Sequence, residues 1–81
     1  MNGRQIRAAR ALIGWSAQDL ANASSVGVAT IRRAELKDRE TGMTAPNIAA
    51  IRAALEAAGV LFIDQNSEGP GVQLNKRTTL P

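Results

Sequence analysis

The chain has no cysteine, no histidine and no tyrosine, and only one tryptophan and one phenylalanine. Without cysteine, neither a disulfide nor a thiolate metal site can staple the fold. Without histidine and cysteine, the usual imidazole and thiolate routes to general-base and nucleophilic catalysis are missing. Carboxylates remain, but they are scattered over predicted surface positions, so an enzyme is the least expected reading. No apolar run approaches the roughly 18 residues of a membrane span. The opening stretch, MNGRQIRAAR, lacks the apolar core of a secretory signal. It is Arg-rich and acid-poor like a transit peptide, but poor in serine, and reads better as a first helix. The expectation is a cytoplasmic protein with no membrane contact, no cofactor and no metal.

What the chain does have is an uneven charge. Its 81 residues make one domain with a small core. Residues 1–39 hold seven Lys/Arg against three Asp/Glu, a net of +4, while residues 40–81 hold three against four, a net of −1. A basic N-terminal half suits a polyanionic partner. The plainer alternative is that these side chains only solubilise helix faces.

Helical spacing is clear over residues 5–13, where Ile6, Ala9 and Ile13 share a face and Gly14 stops the run. Asn2 and Gln5 have the spacing of a capping box. Ser16 is a good N-cap for a second, short helix reaching Ala23, with Asp19 in its first turn and Leu20 and Ala21 facing inward. Residues 24–27 form a turn. A third helix follows over residues 28–36, with Ile31, Ala34 and Glu35 toward the core and Thr30, Arg32 and Arg33 away from it. Residues 37–44 are polar, hold Gly42 and read as a loop. Pro46 opens a fourth helix over residues 46–58, with Ile48, Ile51 and Leu55 as its apolar stripe and Gly59 beyond its end. Residues 60–64, VLFID, are β-branched and aromatic. A turn cluster, QNSEGPG, separates them from a second short strand over residues 72–74. The expected fold is mainly α: a four-helix domain over residues 1–59, a β-hairpin over 60–75 and a tail over 76–81.

The layout of residues 16–35, two short helices joined by a tight turn with adjacent arginines on the second, is that of a helix-turn-helix. Arg10, Gly14, Ser16, Leu20, Ala21, Val26, Ile31 and Glu35 fall without a gap on the pattern of the phage repressor/Cro family, also called the Xre family. The chain resembles that family over about residues 3–58. The resemblance implies a lambda-repressor-like fold and binding to double-stranded DNA. Three positions depart from it. The family usually has glutamine where Ala17 stands, glycine where Ser25 stands, and serine, threonine or aspartate where Gly27 stands. The last two suggest a shifted turn, with Ser24 or Ser25 taking over some capping or phosphate contact. The hairpin stands where the family usually has a fifth helix.

By resemblance the third helix reads bases through Val28, Ala29, Thr30 and Arg33, with Arg32 alongside. Arg33 suits a bidentate pair with guanine, and Val28 and Ala29 suit thymine methyls. Contacts to the DNA backbone are expected from Arg4, Arg7, Lys37 and Arg39, from Ser25, and from the main chain at Ser16 and Ala17. Ser16, Leu20, Ala21, Val26, Ile31 and Glu35 hold the motif, and the resemblance implies that Arg10 and Glu35 form a structural ion pair. Trp15 is expected in or beside the core.

Half-site readers of this kind act as dimers. In residues 60–64, Val60 and Phe62 share one face and Leu61 and Ile63 the other. One bundle covers only one face, so a homodimer through the hairpin is expected, with Leu61, Phe62, Ile63, Val72 and Leu74 as its residues. The expected function is a repressor that occupies a promoter. The alternative is an antitoxin or other interaction module that neutralises a partner protein, such as a toxin, and autoregulates its operon.

Overall fold

Four helices precede a two-stranded antiparallel sheet in the computed structural model, which describes residues 1–37, 42–63 and 71–74. The elements are α1 (Gly3–Ile13), α2 (Ala17–Ser24), α3 (Val28–Glu35), α4 (Ala45–Ala57), β1 (Val60–Ile63) and β2 (Gly71–Leu74). Arg39 and the tail at residues 76–81 lie outside the described residues, as does residue 64 at the end of the first expected strand. Among the described residues, no helix is long and apolar enough to cross a membrane.

The helix ends follow local chemistry. Asn2 Oδ1 accepts from the Gln5 amide at 2.8 Å, and Gln5 Oε1 accepts from the Asn2 amide at 2.9 Å. This capping box makes Gln5 the third helical residue, so α1 starts at Gly3, two residues before the apolar spacing suggests. Gly14 ends it in the left-handed region at φ 70°. A second box pairs Ser16 Oγ with the Asp19 amide at 3.0 Å and Asp19 Oδ2 with the Ser16 amide at 2.9 Å. Thr44 Oγ1 caps α4 by accepting from the Asn47 amide at 3.4 Å, with Pro46 in the first turn.

The turn between α2 and α3 is not shifted, contrary to expectation. Ser25 itself takes the left-handed conformation, at φ 60° and ψ 25°, where the resemblance implies glycine. A Cβ there costs about 1–2 kcal/mol. Ser24 is buried, donating its hydroxyl to Leu20 O at 2.7 Å and accepting from the Val26 amide at 3.3 Å. It stitches the turn. Gly27 caps α3 without a side-chain bond.

Ile6, Leu20, Ile31, Ile51 and Leu55 are fully buried, so every helix contributes to one core. Each such side chain adds about 1.5–3 kcal/mol of burial free energy. Trp15 packs half-buried against this core, while Ile48 is only half-buried. Val60 and Phe62 belong to the same core, and the Arg52 guanidinium lies 5.4 Å from the centre of the Phe62 ring.

The strand register is Val60 opposite Leu74, Leu61 opposite Gln73, Phe62 opposite Val72 and Ile63 opposite Gly71. The period of two therefore puts Val60, Phe62, Val72 and Leu74 on one row and Leu61, Ile63 and Gln73 on the other. Phe62 and Val72 pack on the core, which corrects their assignment to a dimer surface. Leu61, at 44% exposed, and half-buried Ile63 stay on the outer row; Leu74, at the end of the inner row, is 38% exposed. The hairpin packs on α1 and α4. Gln5 Nε2 holds it there, donating to Ile63 O at 3.3 Å and Gly71 O at 3.1 Å.

Candidate nucleic-acid interface

The inner row of α3 is Ile31, Ala34 and Glu35, all buried. Glu35 carries a charge into this environment, so it needs a partner. Arg10 on α1 supplies one in a two-pronged pair: Nε to Oε2 at 2.6 Å and Nη2 to Oε1 at 2.8 Å. Its remaining Nη1 donates to Trp15 O at 2.9 Å, which ties in the link between α1 and α2. The hydrogen bond to Glu35 raises the Arg10 pKa above its ordinary value, against the opposing effect of burial, with the carboxylate charge adding to the rise. On the alkaline side this contribution is fully present below the unfolded arginine pKa and is lost only in strong alkali, and it holds while the Glu35 carboxylate is ionised.

Gly3 fixes the other end of this contact. Its amide donates to Lys37 O at 3.1 Å. A Cβ on Gly3 would stand 2.2 Å from Lys37 O and 2.4 Å from Ala34 O. The first turn of α1 thus rests directly on the backbone at the end of α3, an approach only glycine permits.

The outer row is held less: Ala29, Arg32 and Arg33 are exposed, Thr30 is half-buried, and half-buried Val28 alone of this row packs against the core. Arg33 Nη2 lies 3.5 Å from Thr30 Oγ1, a marginal hydrogen bond. Among the described residues, no carboxylate pairs with Arg32 or Arg33. Leu36 extends this row, four residues after Arg32, and is 79% exposed. Val28, Arg32 and Leu36 recur at a spacing of four and mark one stripe.

Ser16, Ser25 and Lys37 are exposed, as are Arg4 and Arg7 on α1. The Ala17 side chain is buried, so the main chain, through which a contact is expected, is all that this residue offers. Ala17, Leu20, Ala21 and Ser24 are buried at successive spacings of three, one and three, the inner stripe of α2. That pattern was available in the sequence. Only the main chain of this first turn, whose amides lack helical acceptors, remains for a ligand.

Compared with known proteins, the chain matches no protein-family model and no curated protein.

Proposed function

We propose that this protein is a sequence-specific double-stranded DNA-binding regulator, with α2 and α3 as a helix-turn-helix of the phage repressor/Cro type. One observation carries the reading. The inner row of α3 is locked by core packing and the Arg10–Glu35 pair, while its outer row presents two exposed arginines, neither paired with a carboxylate among the described residues, beside small apolar residues. A rigid helix with such an outer face has what major-groove reading requires. Arg33 pairs with guanine O6 and N7; Val28 and Ala29 meet thymine methyls; Thr30 and Arg32 flank them. Arg4, Arg7 and Lys37 neutralise phosphates, and each contact removed lowers the salt slope of binding by about one unit. The protein acts as a repressor by occupying its site.

One eight-residue helix reads few base pairs, so a second copy completes the site. Leu61 and Ile63 on the outer row, with the exposed end at Leu74, form the contact between copies. Deleting the hairpin is an unsuitable test, because Val60 and Phe62 belong to the core. Leu61→Lys should instead leave the fold intact, yield a monomer in sedimentation and weaken DNA binding. An unchanged oligomeric state would remove the hairpin contact from the account.

The reading as a whole is tested by in-vitro selection from random duplexes. The expected product is a two-fold symmetric motif with a G in each half-site. Enrichment of no motif would overturn the reading.

A further inference from the structure

Asparagine followed by glycine is the dipeptide most prone to spontaneous deamidation, because glycine puts no side chain in the way of attack by its own nitrogen. The chain holds one such pair, Asn2–Gly3. Its other asparagines precede Ala23, Ile48, Ser67 and Lys76, whose side chains slow the attack. Two separate demands of the fold meet in this pair. Asn2 caps α1, and Gly3 lies against the end of α3 where no Cβ fits.

The reaction balances with water alone. The Gly3 nitrogen loses its proton to base and attacks Cγ of Asn2. The bond from Cγ to Nδ2 breaks, ammonia leaves and a five-membered succinimide closes. Water then opens the ring at either carbonyl. The products are aspartate and isoaspartate, in which the main chain runs through Cγ.

The fold opposes each part of the first step. The Gly3 N–H donates to Lys37 O at 3.1 Å, which holds its proton. Asn2 Oδ1 accepts from the Gln5 amide at 2.8 Å, which turns the carboxamide toward the helix and away from the Gly3 nitrogen. Gln5 Oε1 accepts from the Asn2 amide at 2.9 Å and fixes its backbone. A flat ring needs the Asn2 Cβ and the Gly3 nitrogen eclipsed about ψ, whereas at the observed ψ of 175° they are staggered. Gln5 is itself buried and anchored on the hairpin through Ile63 O and Gly71 O. These restraints release together when the first turn of α1 lifts from α3.

We propose that Asn2–Gly3 is a modification site gated by the seating of α1 on α3. It is closed while α1 is seated, reacts when the first turn lifts, and bars reseating once isoaspartate has formed. Isoaspartate adds a methylene to the main chain between the cap and Gly3, so the capping box and the Gly3–Lys37 bond cannot both re-form. Aspartate keeps the backbone and caps a helix as well as asparagine does. The rate in the folded chain is the unfolded rate multiplied by the fraction lifted. None of this depends on what α3 recognises.

The test incubates the full chain at mildly alkaline pH, in buffer and in guanidinium chloride. Trypsin releases residues 1–4, mass spectrometry reads the conversion of amide to acid, and enzymatic methylation reads isoaspartate. Conversion at Asn2 is expected in denaturant, with a slowing of at least about tenfold in buffer, since three hydrogen bonds must open. The slowing should match the protection of the Gly3 amide in hydrogen exchange. Gln5→Ala, measured below its own melting temperature, should react about fivefold faster in buffer and at the wild-type rate in denaturant. Asn2→Ser keeps a capping box and should release no ammonia from this site. The isoaspartate form should melt below the wild type, and the aspartate form with it. Equal rates in buffer and in denaturant would overturn the gate, as would a Gln5→Ala rate equal to that of the wild type. No conversion at Asn2 in denaturant would overturn the site. An isoaspartate form that melts with the wild type would overturn the bar to reseating.

Discussion

The two faces of α3 differ in what holds them. On the inner face, Ile31 and Ala34 are packed in the core, Glu35 is gripped by Arg10, and the helix end carries the backbone of Gly3. On the outer face, Ala29, Arg32, Arg33 and Leu36 are exposed. The difference separates two demands on one helix. The inner side chains set the angle and depth at which the helix is presented. The outer ones can be exchanged with little effect on the fold.

The comparison breaks most visibly at the ion pair. Arg10→Met leaves the Glu35 carboxylate, 8% exposed in its side chain, without its partner. Breaking one side of such a pair costs about 3–5 kcal/mol. At roughly 4–8 °C per kcal/mol for a domain of this size, a thermal melt shows it directly. Equal melting temperatures for the variant and the wild type would mean that the inner face is not held by this pair. Gly3→Ala probes the backbone contact beside it. The added methyl meets the carbonyls of Lys37 and Ala34, neither of which is a flexible side-chain end. Overpacking of this kind costs about 1–3 kcal/mol. A more stable alanine variant in urea titration would show that α1 slides freely along α3. A smaller effect of opposite sign is expected at the entrance to the helix. Ser25→Gly relieves the left-handed backbone, and after the greater unfolded-state freedom of glycine a gain of about 1 kcal/mol remains. A loss of stability in the same titration would show that the Ser25 side chain contributes more than its backbone costs.

Much of the inner face was legible in the sequence because it rests on short-range signals. The two capping boxes, the apolar spacing of Ile6, Leu20 and Ile31, and the stop at Gly14 are all local patterns. Ala17 was legible too, from its spacing to Leu20, Ala21 and Ser24, but the resemblance drew attention to the residue it replaces. The contact of Gly3 with α3 has no local signal, since a glycine in a first turn reads only as a weak helix former. Nor has the grip of Gln5 on the hairpin, which joins residues 58 and 66 positions apart. The alternation in residues 60–63 showed two rows, but which row faces inward is decided by packing against α1 and α4. Phe62 is in the core and half-buried Val72 packs against it, while Leu61 is exposed and Ile63 half-buried on the other row.

Arg33→Ala addresses the outer face of α3 alone. Its stability should stay within about 0.5 kcal/mol of wild type, as for an exposed side chain away from the core. The decisive measurement is its affinity for a selected duplex beside its affinity for a scrambled one at the same salt. A roughly 5- to 150-fold loss on the selected duplex, corresponding to about 1–3 kcal/mol for a bidentate base contact, with a much smaller loss on the scrambled one, is the predicted result. Equal affinities of wild type and variant for the selected duplex would contradict the claim that this face reads DNA.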